Sequence, residues 1–599
     1  MKYNLSVLIL LFVFSLYACQ ASLENPYSEE TPLESNPIDM TVAQRVETLT
    51  LAEKVGQMLQ PERSAISLNE IQQYNIGSVL NAGGSHPNDD PLSSYETWHT
   101  MITQMQNAAL RSSSGIPLLY GIDAVHGNNN VYQATLFPHN INLGMIQDLS
   151  TIERVAEVTA LEMAALNMHL NFSPSVAVAH NIRWGRTYES MGQTPTLVTE
   201  RTQAYLRGVE GIIIPTLKHY VGDGATDDGI DQGNATISED DLRAIHLIPY
   251  IDAITMNVPV IMVSYHSIQG IKMHGHTYYL DEVLKNELGF EGILLSDYNA
   301  INQLPGDFKA QLTHAINAGI DMLMQPFNWK EAIGLIIEAV EEGSIPIERI
   351  DDAVTRILSV KEAYGLFASP HLPFTPEIMY SESHKDAAYQ AAVQSMVLLK
   401  DNLQTPLHEL GNLYLTGPAA DHVGLLAGGW TTAWQGNPQP RIGVGSSIKQ
   451  ALEHRFTLTS YTDADTVIVT LAEVSYAEWF GDTPTPTLTQ GMAHPENQAA
   501  LNRAAQAQRD GKTVLGLLIS GRPLVLDEAL DYFDLFVAMF LPGPEGGDAI
   551  VALLNYEEPF TAKLSFYWPS SVFALDYPSV QAEYQFPIGF GLETLKKDE

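Results

Sequence analysis

The chain has 599 residues, 45% of them apolar, which is enough to bury two sizeable cores and too apolar for disorder to be its main state. Its 31 basic and 70 acidic residues leave a formal net charge of −39. That sign is opposite to what a nucleic-acid binder needs, so the acidity reads as a solvated surface and points to no substrate.

In chain order, residues 1–18 carry one lysine near the start, an apolar run from Leu5 to Leu16 and Ala18 immediately before Cys19. The run is too short for a good membrane span and follows the plan of an export signal. Leu16-Tyr17-Ala18-Cys19 resembles a bacterial lipoprotein processing site, at which Cys19 becomes the lipidated first residue. Ordinary secretion with cleavage nearby is the other reading. Cys19 is the single cysteine, so the folded part has neither a disulfide framework nor a thiolate metal site. Residues 20–40, rich in Ser, Glu, Pro and Asn, read as a flexible tether.

From residue 41 short apolar bursts end in polar residues, each followed by an amphipathic stretch of helical length: 77–83, 117–123, 170–176, 214–220, 258–265, 292–298 and 320–325. Strand then helix, repeated, predicts a parallel sheet with helices outside, and a (β/α)8-like TIM barrel over 41–368 is the economical fold, with its eighth strand unplaced. The segment SPHLPFTP, with three prolines in eight residues, marks a linker at 369–385. An Ala-rich helix at 386–400 and apolar strands at 413–418, 465–473, 513–521 and 535–543 predict a second, smaller α/β sandwich domain over 386–592.

In such a barrel the loops after the strands converge on one face. Asp123, Arg183, Arg186, Lys218, His219, Tyr265, Asp297 and Tyr298 fall there, a mixture of carboxylates, donors and aromatics that suits a polyhydroxylated ligand. Asp297 ends the apolar run GFEGILLSD and is either a rigidly carried catalytic carboxylate or a helix N-cap. Cleaving a glycosidic bond takes a second carboxyl group, for which Glu473 and Glu478 in LAEVSYAEWFGD are the candidates, the latter between Tyr476 and Trp479. Trp430 and Trp434, set among glycines, read as a platform or as two buried loop anchors.

Together GIDAVHG (121–127), RWGRTYES (183–190), KHYVGDG (218–224), GFEGILLSDYNAI (289–301), GGWTTAWQG (428–436), SYAEWFGD (475–482), SGRPLV (520–525) and LPGPEGG (541–547) resemble glycoside hydrolase family 3, closest to its two-domain bacterial and plant β-D-glucan exohydrolases. The resemblance implies a retaining β-glucosidase that needs no cofactor or metal and releases glucose from non-reducing ends of β-1,3- and β-1,4-linked glucans. It implies that Asp297 is the nucleophile and Glu478 the acid/base. Asp123, Arg186, Lys218, His219 and Tyr265 then hold the first glucosyl unit, and Trp434 walls the next subsite. Tyr298 stands where such relatives usually have Trp, Gln303 where plant relatives have Arg, and Gln232 where they have Glu; these departures bear on linkage and outer subsites. The expected partner is a β-linked oligo- or polysaccharide, with no nucleic acid and no membrane except through a lipid anchor, in an exported protein.

Other readings are a family-3 β-xylosidase, a β-N-acetylglucosaminidase, a metal-dependent hydrolase and a catalytically degenerate sugar-binding lipoprotein. The acetylglucosaminidases carry a second histidine where Asp223 stands here. His274 and His276 lack the further histidines of a two-metal site and read as loop residues. Both carboxylates are present, against the degenerate reading.

Overall fold

Six strands pair in sequence order and all in parallel: β1 (Ser78–Asn81), β2 (Leu119–Ile122), β3 (Leu170–Asn171), β4 (Ile214–Tyr220), β5 (Val260–Val263) and β6 (Ile293–Leu295). They belong to a computed structural model that describes residues 40–576 and 584–595. The expected signal with its processing site, together 1–19, and all but the last residue of the expected tether at 20–40 lie outside the described residues. From Thr41 onward the chain forms one compact unit.

Every residue of these six strands is buried, as a parallel sheet covered on both faces requires. Between strands run helices such as α1 (Tyr95–Leu110), α2 (Leu149–Ala164) and α3 (Pro195–Val209). Each begins at a residue whose side chain accepts a free backbone N–H of the first turn: Ser94, Asp148 and Thr194. A cap of this kind is worth about 1 kcal/mol. On α1, Trp98, Ile102, Met105 and Ala109 recur at helical spacing and are the buried face.

The two edges of the sheet meet through isolated parallel bridges, Leu295 with Met322, Leu323 with Leu59 and Glu62 with Leu80. Gln60 N–H donates to the Leu323 carbonyl and Leu80 N–H to the Pro61 carbonyl, both at 2.9 Å. The eighth position around this TIM-like ring is therefore taken by Leu59–Glu62, and the strand expected at 320–325 contributes only bridges. Pro61 lacks an N–H, which is why this segment pairs in bridges and not in a ladder.

A second sheet of five strands has the order β7-β11-β10-β9-β8, with β7 (Val397–Asp401), β8 (Leu413–Thr416), β9 (Thr466–Ala472), β10 (Thr513–Ile519) and β11 (Leu535–Ala538). All neighbours are parallel except β7, which runs antiparallel to β11. This corrects the helix expected over 386–400. The helix, α4, spans Glu382–Val393, and the apolar run that follows it pairs Val397 with Ala538 and Leu398 with Val537 instead. A buried run of four or five apolar residues fits either state by pattern, and pairing decides it.

The core of the second sheet takes in Ile141, Ile182, Trp184 and Tyr188 from the loops of the first. Asn142 ties the same boundary, its Nδ2 donating to the Met539 carbonyl at 2.9 Å and its Oδ1 accepting from Leu541 N–H at 2.8 Å. Loops of the second sheet are thus held over the C-terminal mouth of the first.

Candidate active site

Asp123 lies one residue past β2, Lys218 and His219 within β4, and Tyr265 and Asp297 each two residues past β5 and β6. Arg186 comes from the long loop after β3. From the second sheet, the loop after β9 brings Glu478 at the start of a short 3-10 turn, Glu478–Gly481. These residues, with Tyr298 and Trp434, line one cavity of about 640 Å³, which also holds Trp430, Trp479, Gln232 and Gln303. All eight side chains to which the family resemblance gives a role in catalysis or sugar binding meet there.

Asp297 is buried and doubly fixed. Its N–H donates to His274 Nε2 at 2.9 Å, and its Oδ1 accepts from Tyr298 N–H at 2.7 Å. Oδ2 has no hydrogen-bond partner; His219 Nε2 lies 3.6 Å away. That nitrogen faces Arg186 Nη2 at 3.2 Å, so it must be the acceptor, and the imidazole proton sits on Nδ1, which donates to Asp223 Oδ2 at 2.9 Å. Burial, with Arg186 and Lys218 adding, keeps His219 neutral. Asp297 Oδ2 therefore keeps its lone pairs free of any protein donor, on a residue that lines the cavity.

Arg186 is itself buried and held in a fork by Glu189, Nε to Oε1 at 3.0 Å and Nη2 to Oε2 at 2.8 Å. Its Nη1 lies 3.7 Å from Glu478 Oε1. Lys218 Nζ donates to Asp123 Oδ1 at 2.8 Å. Tyr265 donates its hydroxyl to the Tyr298 carbonyl, and Gln303 Nε2 donates to Gln232 Oε1 at 3.0 Å.

The two carboxyl groups sit in different electrostatic surroundings. Burial pushes Asp297 up to about 6, against the pull of Arg186, the Tyr298 N–H and Lys218. Glu478 is pushed up to about 8, again by burial first; Arg186 opposes this, while Glu189, Asp231 and Asp297 add to it. Near neutral pH one is ionised and the other protonated, the arrangement that separates a nucleophile from a proton donor.

Glu473, the rival candidate, is placed elsewhere. Its Oε2 accepts from Tyr476 Oη at 2.9 Å and Gly521 N–H at 2.8 Å, and Arg522 Nε lies 3.2 Å from its Oε1. It does not line the cavity. Arg183 is also outside, its Nε donating to the Pro484 carbonyl at 3.1 Å. His274 serves Asp297, as above, and among the described residues no group of three or more His, Cys, Asp or Glu is arranged to hold a metal ion.

Supporting residues the sequence did not single out fix the Glu478 turn to the barrel. Arg522, fully buried, donates from Nη1 to the Ile182 carbonyl at 2.8 Å and from Nη2 to the Gly481 carbonyl at 2.7 Å. Asp482 accepts from the N–H of Gly185 at 2.7 Å and of Asp231 at 2.8 Å. The glycine of RWGR is required here, because a Cβ on Gly185 would lie 2.0 Å from the Glu478 carbonyl oxygen. The only sequence signal for these contacts is the presence of an arginine and an aspartate inside the motifs.

Comparison with known proteins places the chain in a family. Residues 50–360 match the glycosyl hydrolase family 3 N-terminal domain and residues 396–594 its C-terminal domain. The lysosomal beta glucosidase of Dictyostelium discoideum is 30% identical over 90% of this chain and 73% of its own length. The periplasmic beta-glucosidase of Salmonella typhimurium is 27% identical over 93% and 77%. Among solved structures, the exo-1,3/1,4-beta-glucanase of a Pseudoalteromonas species superposes with a TM-score of 0.87 at 35% identity, over 94% of this chain and 75% of that one. With a curled parallel barrel sheet, a second α/β sheet bringing a carboxylic acid over its mouth, and both family domains matched, the chain is a glycoside hydrolase and belongs to glycosyl hydrolase family 3.

Proposed function

We propose that this enzyme is a retaining exo-β-glucosidase that releases glucose from the non-reducing ends of β-1,3- and β-1,4-linked glucans. The names of its relatives support β-glucosidase or exo-β-glucanase activity. The observation that carries the mechanism is the pair of carboxyl groups in one cavity, Asp297 at about 6 and Glu478 at about 8. In this reading Asp297 Oδ2 attacks the anomeric carbon while Glu478 gives its proton to the departing oxygen. Glu478, now ionised, then takes a proton from the water that cleaves the glucosyl ester. Lys218, paired with Asp123, and Arg186, forked on Glu189, are the fixed hydrogen-bonding groups for the first sugar's hydroxyls. The anomer released first, taken up in the Discussion, is the test.

Linkage preference falls to the second subsite, between Trp434 and Tyr298. Two indoles make a flat slot that tolerates several sugar orientations, whereas a phenol is smaller and its hydroxyl rewards one orientation with a bond of about 1 kcal/mol. We expect β-1,3 to be favoured with β-1,4 accepted, and Tyr298→Trp to bring the ratio of kcat/KM on laminaribiose and cellobiose closer to one. A ratio that does not move makes Tyr298 a packing residue beside the nucleophile.

The periplasmic relative supports export. The proposal extends to anchoring through acylated Cys19, since the several chains of a bacterial lipoprotein hold firmly where one would not. Mass spectrometry of the mature N-terminus is expected to find Cys19 first and acylated; an unmodified start elsewhere contradicts it.

A further inference from the structure

The aromatic surface at the cavity mouth continues past the two sugar positions assigned above. Trp434 is edge-on to Trp479 at 5.2 Å and to Phe480 at 5.6 Å, and Trp479 and Phe480 stack on each other at 5.4 Å with their planes 29° apart. Trp479 also lines the cavity, while Phe480 stands just outside it. Both are largely exposed, 45% and 53%, which is uncommon for large apolar rings in a soluble fold and marks them for a ligand or partner. Phe327, 62% exposed, sits edge-on to Tyr298, another lining residue, at 6.4 Å. The side chains of Trp479 and Phe480 meet no demand of the bond-breaking step.

We infer that Trp479 and Phe480 form a third sugar subsite, a stacking platform for the β-glucan chain where it leaves the cavity. The reading rests on the exo-β-glucosidase assignment above and extends it to chain length. Three features support a carbohydrate chain as the occupant. The platform is continuous with the Trp434 wall, so a substrate whose end is in the cavity can extend directly onto it. The C–H face of a pyranose is apolar and rigid, and exposed rings suit it without polar groups of their own. The platform is also pre-organised: Glu478–Gly481 is one tight turn, the Gly481 carbonyl is held by Arg522, and a Cβ on Gly481 would lie 2.3 Å from the Tyr476 ring. Little ordering entropy is then lost when a sugar lands on it. Because the platform follows directly on Glu478, a sugar stacked there also bears on the turn that carries the proton donor.

The test measures kcat/KM on laminari-oligosaccharides of two, three and four units, with an aryl β-glucoside beside them, for the wild type, Phe480→Ala, Phe480→Tyr and the double variant Trp479→Ala/Phe480→Ala. The wild type is expected to gain about tenfold from the two-unit to the three-unit substrate, the size of one good aromatic contact. That gain shrinks in Phe480→Ala, persists in Phe480→Tyr, which keeps a ring, and falls to near one in the double variant. A wild type that turns over the aryl glucoside but shows no gain with length, or a gain that survives in the double variant, overturns the platform while leaving the activity in place. A wild type inert on the aryl glucoside and on every oligosaccharide overturns both.

Discussion

Asp297→Ala is expected to lose at least about 10³-fold in kcat/KM on every substrate, aryl glucosides included, or on the order of 4 kcal/mol of transition-state stabilisation. The magnitude follows from the nucleophile's role: without the carboxylate no covalent glucosyl intermediate forms, and a better leaving group cannot replace it. Folding is expected to survive. Oδ2 has no partner and Oδ1 accepts only the adjacent Tyr298 N–H, so the variant removes a buried carboxyl whose ionised form burial opposes. Its thermal midpoint should match or exceed the wild type's. Azide added to this variant should yield α-glucosyl azide, because the anion then attacks from the vacated side. Retention of a tenth or more of wild-type kcat/KM would sink the assignment.

Glu478→Ala carries the second largest effect, and its signature is selectivity. General acid catalysis contributes about 10²–10⁴-fold where the leaving group needs a proton. Loss on a natural disaccharide should fall in that range, while a dinitrophenyl glucoside, whose leaving group needs none, should lose little in its first step. Azide should rescue the second step and give β-glucosyl azide, since it attacks an intermediate already inverted by Asp297. In the wild type kcat/KM should follow a bell. Activity falls below about 6 as Asp297 takes up the proton that blocks attack, and above about 8 as Glu478 loses the proton it must donate. The alkaline limb should disappear in Glu478→Ala. Rescue by azide in Glu473→Ala would instead move the acid/base five residues back, against its placement with Arg522 and Tyr476.

Seven barrel segments were legible because each apolar burst is bounded by polar turns and followed by an amphipathic stretch. The eighth was not: Leu59–Glu62 has one aliphatic residue in place of an apolar burst, contains Pro61 and pairs only through bridges, one of them to Leu323 from the far end of the barrel. The strand at Val397–Asp401 was absorbed into a helix because an Ala-rich helix precedes it directly, and only the antiparallel partner at 535–538 distinguishes the two. The candidate residues that gather in the cavity were readable from position and from the family resemblance, although Arg183, read the same way, lies outside it. Glu189, Asp223, Asp482 and Arg522 were not, since what they do depends on what they meet. Arg522 reaches a carbonyl 340 residues earlier in the chain, and no local pattern encodes that contact.

The central claim is that Asp297 and Glu478 act in turn through a covalent glucosyl intermediate. The most direct measurement is proton NMR of the first glucose released from an aryl β-glucoside, recorded before mutarotation equilibrates the anomers. Two successive inversions predict that β-glucose appears first, with the α-anomer growing in only at the mutarotation rate. An initial α-anomer would mean that water attacks directly, with Asp297 as its base, and would contradict the account.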